Sequence, residues 1–160
     1  MLAITPSKRQ TQHWRQTMDK QETFRDAFDL LCGEKLGEGI HRAVYECKLR
    51  PDLVVKVEYG DMRHFANVFE QQFWDTNSQY KEVSRWLAPC EFLSPDGRLL
   101  LQRRCDPVPQ HRKMPDMLPG FLTDHKRSNF GLLHGRLVCV DYAITISNPS
   151  VKMQRTNFHE

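Results

Sequence analysis

The chain has 160 residues and a net charge of +3, with 39% hydrophobic and 27% charged residues. That is enough apolar side chain for one compact domain, or one and a small appendage, and it excludes wholesale disorder. The mild positive charge permits an anionic ligand but lacks the concentrated basic face of a nucleic-acid binder; the basic arm with Lys8, Arg9 and Arg15 is the only feature pointing that way.

Residues 1–16 are polar and basic and read as a flexible arm. Asp19 to Glu22 has capping-box spacing, and Phe24, Ala27, Phe28 and Leu31 follow at helical intervals, so the spacing predicts an amphipathic helix stopped near Gly33. The stretch "GEKLGEGIHRAVYECKLRPDLVVKVE" then changes period. It places Gly37 and Gly39 in a loop, a short strand around Ala43 to Cys47, a turn at Arg50-Pro51-Asp52, and a strand from Leu53 to Glu58.

Met62, Phe65, Ala66, Phe69 and Phe73 mark a second helix, and Tyr80, Val83, Ser84 and Leu87 a third from Asn77 to Leu87. "EFLSPDGRLLLQRR" reads as a hairpin around a Ser-Pro-Asp-Gly turn. A proline-rich crossing, "DPVPQHRKMPDMLPG", leads into "LTDHKRSNFGLLHGRLVCVDYA", which carries Asp124, Asn129, a turn at His134-Gly135, a run of strand formers and Asp141. Trp14, Trp74 and Trp86 read as packing residues, and the Arg103-Arg104 pair as a solvated edge.

The five cysteines are scattered, odd in number and form no CxxC pair, which predicts reduced thiols in a cytoplasmic protein. The histidines show neither HExxH nor HxH spacing, the start "MLAITPSKRQ" lacks the apolar run of a signal peptide, and no segment is long enough to span a membrane.

Single residues carry little chemistry by themselves. Gly37 and Gly39 let backbone N–H groups approach a phosphate, yet ordinary turn glycines look the same. Lys56 shares a strand face with Val54, opposite Leu53, Val55 and Val57. A lysine in such a run sits at a solvated edge, or it has a partner and a ligand to neutralise it. Glu70, at the margin of the apolar helical face, is a candidate partner, with Glu82 a more distant rival. Asp124 and Asn129 also suit a turn, and Asp141 a strand end.

The order of these features is more specific. A glycine-rich hairpin, a strand lysine, a helix glutamate, a hairpin, Asp and Asn five apart, and a strand-ending Asp twelve residues later resembles the protein kinase-like superfamily over about residues 31–143. This superfamily includes aminoglycoside and other small-molecule kinases, and the chain is also similar to small kinase-like proteins of bacteriophages. "LGEGIHRAVYE" looks like the phosphate-covering loop, "VVKVE" the lysine strand, "TDHKRSNFG" the catalytic loop and "VCVDYA" the metal-binding DFG element.

The resemblance implies an α+β kinase-like fold: an antiparallel-sheet N-lobe with its helix αC over residues 17–104, and a minimal C-lobe over 105–160. It further implies that ATP and Mg2+ bind. Lys56 would hold the α- and β-phosphates and pair with Glu70, Asp124 would take the proton of the attacking hydroxyl, and Asn129 with Asp141 would hold magnesium. Gly37 and Gly39 would cover the phosphates, Val44 and Val54 the adenine, and the backbone of Leu101 to Cys105, Arg103 included, would read its edge. Lys126 matches a γ-phosphate lysine of Ser/Thr protein kinases and leans towards a protein hydroxyl as acceptor.

Some positions depart from the pattern. Arg42 stands at the third glycine of the loop, Leu122 replaces the His or Tyr two before the catalytic Asp, and the metal triplet is Asp141-Tyr142-Ala143. Residues 106–123 replace two helices of relatives, and no peptide-docking element follows Asp141. The expected function is therefore a minimal phosphotransferase acting on an unusual substrate or completed by a partner or a second copy. The competing reading is an inactive kinase-like protein that binds nucleotide or regulates a host protein. No membrane role is expected.

Overall fold

The computed structural model describes residues 22–59, 64–143 and 149–159, and its antiparallel sheets and few helices make it a mixed α+β fold. Residues 22–31 are helical (α1) and run directly into strand β1 (Cys32–Glu38). Asp19 of the expected capping box, the basic arm, Trp14 and Met62 lie outside the described residues. β2 (Arg42–Cys47), β3 (Leu53–Glu58), β4 (Cys90–Leu93) and β5 (Leu99–Arg103) complete a five-stranded sheet in the order β1-β2-β3-β5-β4. Helix α2 (Ala66–Asn77) and the single turn α3 (Lys81–Ser84) connect β3 to β4.

Every residue of β3 is buried, because both sheet faces are covered. Leu53, Val55 and Val57 face α1, where Phe24, Ala27, Phe28 and Leu31 complete a core with Cys32, Cys47 and Leu99. Val54, Lys56 and Glu58 face the other way, in register with Glu46, Val44 and Arg42 of β2.

The remainder is built on β6 (Asp106–Pro107), β7 (Met117–Pro119), a 3-10 turn at Arg127–Asn129, β8 (Phe130–Leu133), β9 (Arg136–Cys139) and β10 (Met153–Arg155). These form a β6-β8-β9 sheet and a β10-β7 pair. His134 (φ 52°) and Gly135 (φ 77°) make the two-residue turn between β8 and β9, the left-handed pair that a tight hairpin needs.

The parts of the chain before and after Arg104 share one core. Phe73, Leu87, Cys90 and Leu100 pack with Leu118, Phe121, Leu122, Phe130 and Tyr142, and Trp74 and Trp86 lie against them. The Cys139 N–H donates to the Trp86 carbonyl at 2.7 Å, and the Ala88 N–H to the Cys139 carbonyl at 2.9 Å, stitching the segment before β4 to the end of β9. All five cysteines are free. Burial pushes the thiols of Cys90 and Cys105 up to about 12 and about 11, so neither is a nucleophile near neutral pH. Among the described residues no helix is long and apolar enough to cross a membrane.

Several expectations need correction. Gly37 lies in β1 rather than in a loop. The helix expected from Asn77 to Leu87 shrinks to Lys81–Ser84, because Asn77 ends α2 and Tyr80 is extended at φ −93°, ψ 104°. The inner face of α2 is Asn67, Glu70, Phe73 and Asn77, while Phe65 and Phe69, counted as its apolar face, are exposed.

Gly131 in β8 tests the close approach of β8 to the chain around Cys105. A Cβ there would lie 2.6 Å from Cys105 Cβ and 3.2 Å from the Asp106 carbonyl oxygen. Gly131→Ala is expected to destabilise the protein by about 1–3 kcal/mol in urea denaturation.

Candidate functional site

The inward face of the large sheet, α2 and the turn after β9 converge on a group of four charged side chains. Lys56 reaches from the middle of β3, and its Nζ donates to Glu70 Oε1 at 2.7 Å and also to the Val140 carbonyl. Glu70 is the central inward residue of α2 and is fully buried, so the correction to its marginal placement is a large one. Gln102 Nε2, from β5, donates to the same Oε1 at 2.8 Å.

Arg42 enters from the start of β2. Its Nη2 lies 2.6 Å from Glu70 Oε2 and 2.6 Å from Asp141 Oδ1, and its Nη1 donates to Asn67 Oδ1 at 3.1 Å. Two cations thus face two carboxylates, which is how buried charge is tolerated. Burial alone would lower the Arg42 guanidinium, but Glu70 and then Asp141 raise it further above its usual value. Burial alone would raise the Asp141 carboxyl; the charges of Arg42 and Lys56 outweigh it and hold that carboxyl below its usual value. The Asp141 side chain keeps 49% of its surface exposed, against 9% for Arg42, so this pair has one open end.

Several residues without a sequence signal hold these groups in place. Asn67 Nδ2 donates to the Lys56 carbonyl at 3.1 Å and the Arg98 carbonyl at 2.8 Å, pinning α2 to β3 and to the approach to β5. The Glu58 carboxylate accepts the backbone N–H groups of His64 (2.7 Å) and Phe65 (2.6 Å), supplying negative charge to the N-terminus of α2. The His41 and His64 rings stack with centroids 3.6 Å apart, joining the glycine turn to the same helix end. Tyr142 is buried against Phe73, and its hydroxyl donates to the Ala88 carbonyl at 2.7 Å, which fixes the residue next to Asp141.

Of the catalytic-loop candidates, Asn129 is joined to this group through its backbone. The Val140 N–H donates to the Asn129 carbonyl at 2.8 Å, tying the 3-10 turn to the Asp141 turn. Asp124 is half-exposed and its Oδ1 accepts the Lys126 N–H at 3.1 Å, while the Lys126 side chain is exposed. Arg127 gives its guanidinium to the carbonyls of Pro109 (2.6 Å), Gln110 (3.3 Å) and Arg112 (3.0 Å), fastening the proline-rich crossing to this loop. His159, at the end of the last described segment, lies against this loop. The Arg127 N–H donates to the His159 carbonyl at 3.0 Å, and His159 Nε2 stands 3.9 Å from Asp124 Oδ1.

Val44, Val54 and Lys56 share one sheet face, whereas Leu101 and Arg103 have the opposite parity. Leu101 packs on the α1 core, and Arg103 pairs with Asp52 (2.5 Å) and Glu91 (2.6 Å). Neither side chain lines the face with Lys56. Their backbone lies within β5 between β3 and β4, and the Arg103 N–H is taken by the Pro89 carbonyl. The next N–H, that of Arg104, is likewise taken, by the Asp52 carbonyl at 2.9 Å.

Among the described residues no three or more His, Cys, Asp or Glu side chains converge as a metal site. Asn129 and Asp141 supply oxygen donors of the kind magnesium prefers, on two turns joined by one hydrogen bond, so they fit an ion whose remaining ligands are phosphates and water. A comparison of the chain with protein-family models finds no match, and neither does a search of curated proteins.

Proposed function

We propose that the protein binds ATP with magnesium at this site on a kinase-like scaffold and transfers the γ-phosphoryl group to a hydroxyl, with a protein Ser or Thr as the acceptor best matched by Lys126. The observation that carries the reading is the buried Lys56–Glu70 pair, 2.7 Å apart between a central strand and an inward helix face. A lysine held in a low-dielectric setting by one carboxylate is organised to meet phosphate charge. The glycine hairpin, the lysine strand and the second hairpin are neighbours in one sheet, β1-β2-β3-β5-β4, and Glu70 of α2 and Asp141 meet Lys56 and Arg42 on one face of it.

In this reading the Asp124 carboxylate takes the proton of the acceptor hydroxyl as its oxygen bonds to the γ-phosphorus and the bond from that phosphorus to the β–γ bridging oxygen breaks, releasing ADP. Lys56 carries phosphate charge, Val44 and Val54 cover the base, and Asn129 and Asp141 hold the metal. When bound, magnesium neutralises charge on the phosphate oxygens.

The glycines give a test that separates ligand binding from folding. A Cβ on Gly37 meets no atom within 4 Å, and one on Gly39 meets only the Arg42 carbonyl oxygen at 3.7 Å. Neither glycine is needed for a left-handed backbone. Gly37→Ala is expected to leave the Tm unchanged or slightly raised, since alanine restricts the unfolded chain, while it weakens ATP affinity by about tenfold through lost close approach. Unchanged ATP affinity would remove the phosphate-covering role.

A second reading, a nucleotide-binding protein without transfer, is favoured by Arg42, which holds Asp141 at 2.6 Å and competes with a metal. Incubation of wild type with magnesium and ATP labelled in the γ-phosphate, with host lysate added, decides between them. Labelled protein supports transfer; a Tm raised by magnesium-ATP without label supports the binding module; neither label nor shift overturns both.

A further inference from the structure

Arg42 occupies the place where the sequence pattern leads one to expect a glycine, and it brings a full charge into the middle of the site. With Lys56, Glu70 and Asp141 it makes a neutral group of two cations and two carboxylates. A free divalent cation approaching Asp141 meets a carboxylate whose charge is already matched. It would also leave the buried group with excess positive charge, a costly state away from water. A cation arriving with a polyphosphate brings its own compensating negative charge.

The contacts of Arg42 are unequal in a way that suits exchange. The links to Asn67 and Glu70 are buried, whereas the link to Asp141 ends on a side chain that is 49% exposed. The open contact is the weaker one to break, because water can replace the lost partner. The planar guanidinium presents a fork of N–H donors that fits phosphate oxygens as well as it fits a carboxylate. Its position in β2, on the face shared by Val44 and Lys56, keeps it beside any phosphate that Lys56 holds.

We propose that Arg42 is an exchangeable cation of the site: it holds Asp141 in the nucleotide-free protein, and with a nucleoside triphosphate bound it releases that carboxylate to a divalent cation and pairs with phosphate oxygens. The inference rests on the nucleotide reading and deepens it. It makes Arg42 a phosphate-binding residue and makes metal binding conditional on the nucleotide.

Mn2+ is the probe, followed by water-proton relaxation enhancement on the full chain, with and without a non-hydrolysable ATP analogue. Wild type is expected to bind Mn2+ poorly alone and well with the analogue. Arg42→Gln, which removes the charge and keeps a polar side chain, is expected to bind Mn2+ alone about tenfold or more tightly than wild type, and the analogue about tenfold more weakly, the scale of one charge-assisted hydrogen bond. The gain should vanish in Arg42→Gln/Asp141→Asn.

Equal Mn2+ affinity of wild type and Arg42→Gln without nucleotide overturns the exchange while leaving the nucleotide reading intact. No thermal shift of wild type by the analogue, with Mn2+ gained by Arg42→Gln, overturns the phosphate half together with the nucleotide reading. If Arg42→Gln does not fold, the wild-type comparison decides alone: equal Mn2+ binding with and without the analogue overturns the proposal.

Discussion

Glu70→Ala is expected to cost about 3–5 kcal/mol of stability, the scale for removing one member of a buried charge group. Glu70 has no exposed surface, and its carboxylate is shared by Lys56, Arg42 and Gln102. Its loss leaves two buried cations facing only the half-exposed Asp141, and it leaves the Gln102 amide with only the longer contact to the Ala88 carbonyl at 3.4 Å. Asp52→Ala is the control. Asp52 pairs with Arg50 and Arg103 at 2.7 and 2.5 Å on the surface, where such pairs contribute about 0–1 kcal/mol. Urea denaturation of both variants checks the claim. A Glu70 variant no weaker than the Asp52 variant would show that the charged group does not hold the fold.

Asp124→Ala is expected to behave in the opposite way. The side chain is 55% exposed and accepts one backbone N–H, from Lys126, so stability should stay within about 0.5 kcal/mol of wild type. The proposed proton transfer should suffer: loss of a positioned base lowers the rate by about 10²–10⁴-fold. The thermal shift produced by ATP should be unchanged, because Asp124 stands outside the Lys56–Glu70–Arg42–Asp141 group. Transfer at the wild-type rate would remove Asp124 from the chemistry, and His159, 3.9 Å away, would be the next group to replace.

What the sequence revealed and what it concealed divide along the range of the interactions. Lys56 was legible because strand alternation is local: its face follows from Val54 to Glu58 alone. The His134-Gly135 turn and the Ser94–Gly97 turn were legible for the same reason. The inner face of α2 was not. Helical periodicity counts apolar residues, yet Asn67, Glu70 and Asn77 point inward. The partners that make Asn67 and Glu70 affordable inside lie on β2, β3, β5 and the Asp141 turn.

Arg42 looked like the loss of a glycine, and its partner Asp141 stands 99 positions away, beyond any local pattern. Leu101 and Arg103 were assigned from the resemblance, as part of a backbone that would read the adenine edge, and strand pairing is not visible in such an assignment. Their backbone lies within β5 between β3 and β4, and Gln102 is the β5 residue whose side chain reaches Glu70. Glu58 had no signal, because a carboxylate at a strand end is ordinary until a helix begins above it.

The last described segment has a practical meaning for assay design. β10 pairs with β7, Phe158 packs edge-on against Phe130 at 5.3 Å, and the His159 carbonyl is bonded to the loop that carries Asp124. An affinity tag or fusion partner joined after residue 160 would follow closely on His159, 3.9 Å from Asp124, and under the proposed function its bulk would obstruct an incoming acceptor. In the proposed transfer, tagged protein of that kind would report low turnover for reasons of access rather than chemistry, which favours labels at the opposite end of the chain.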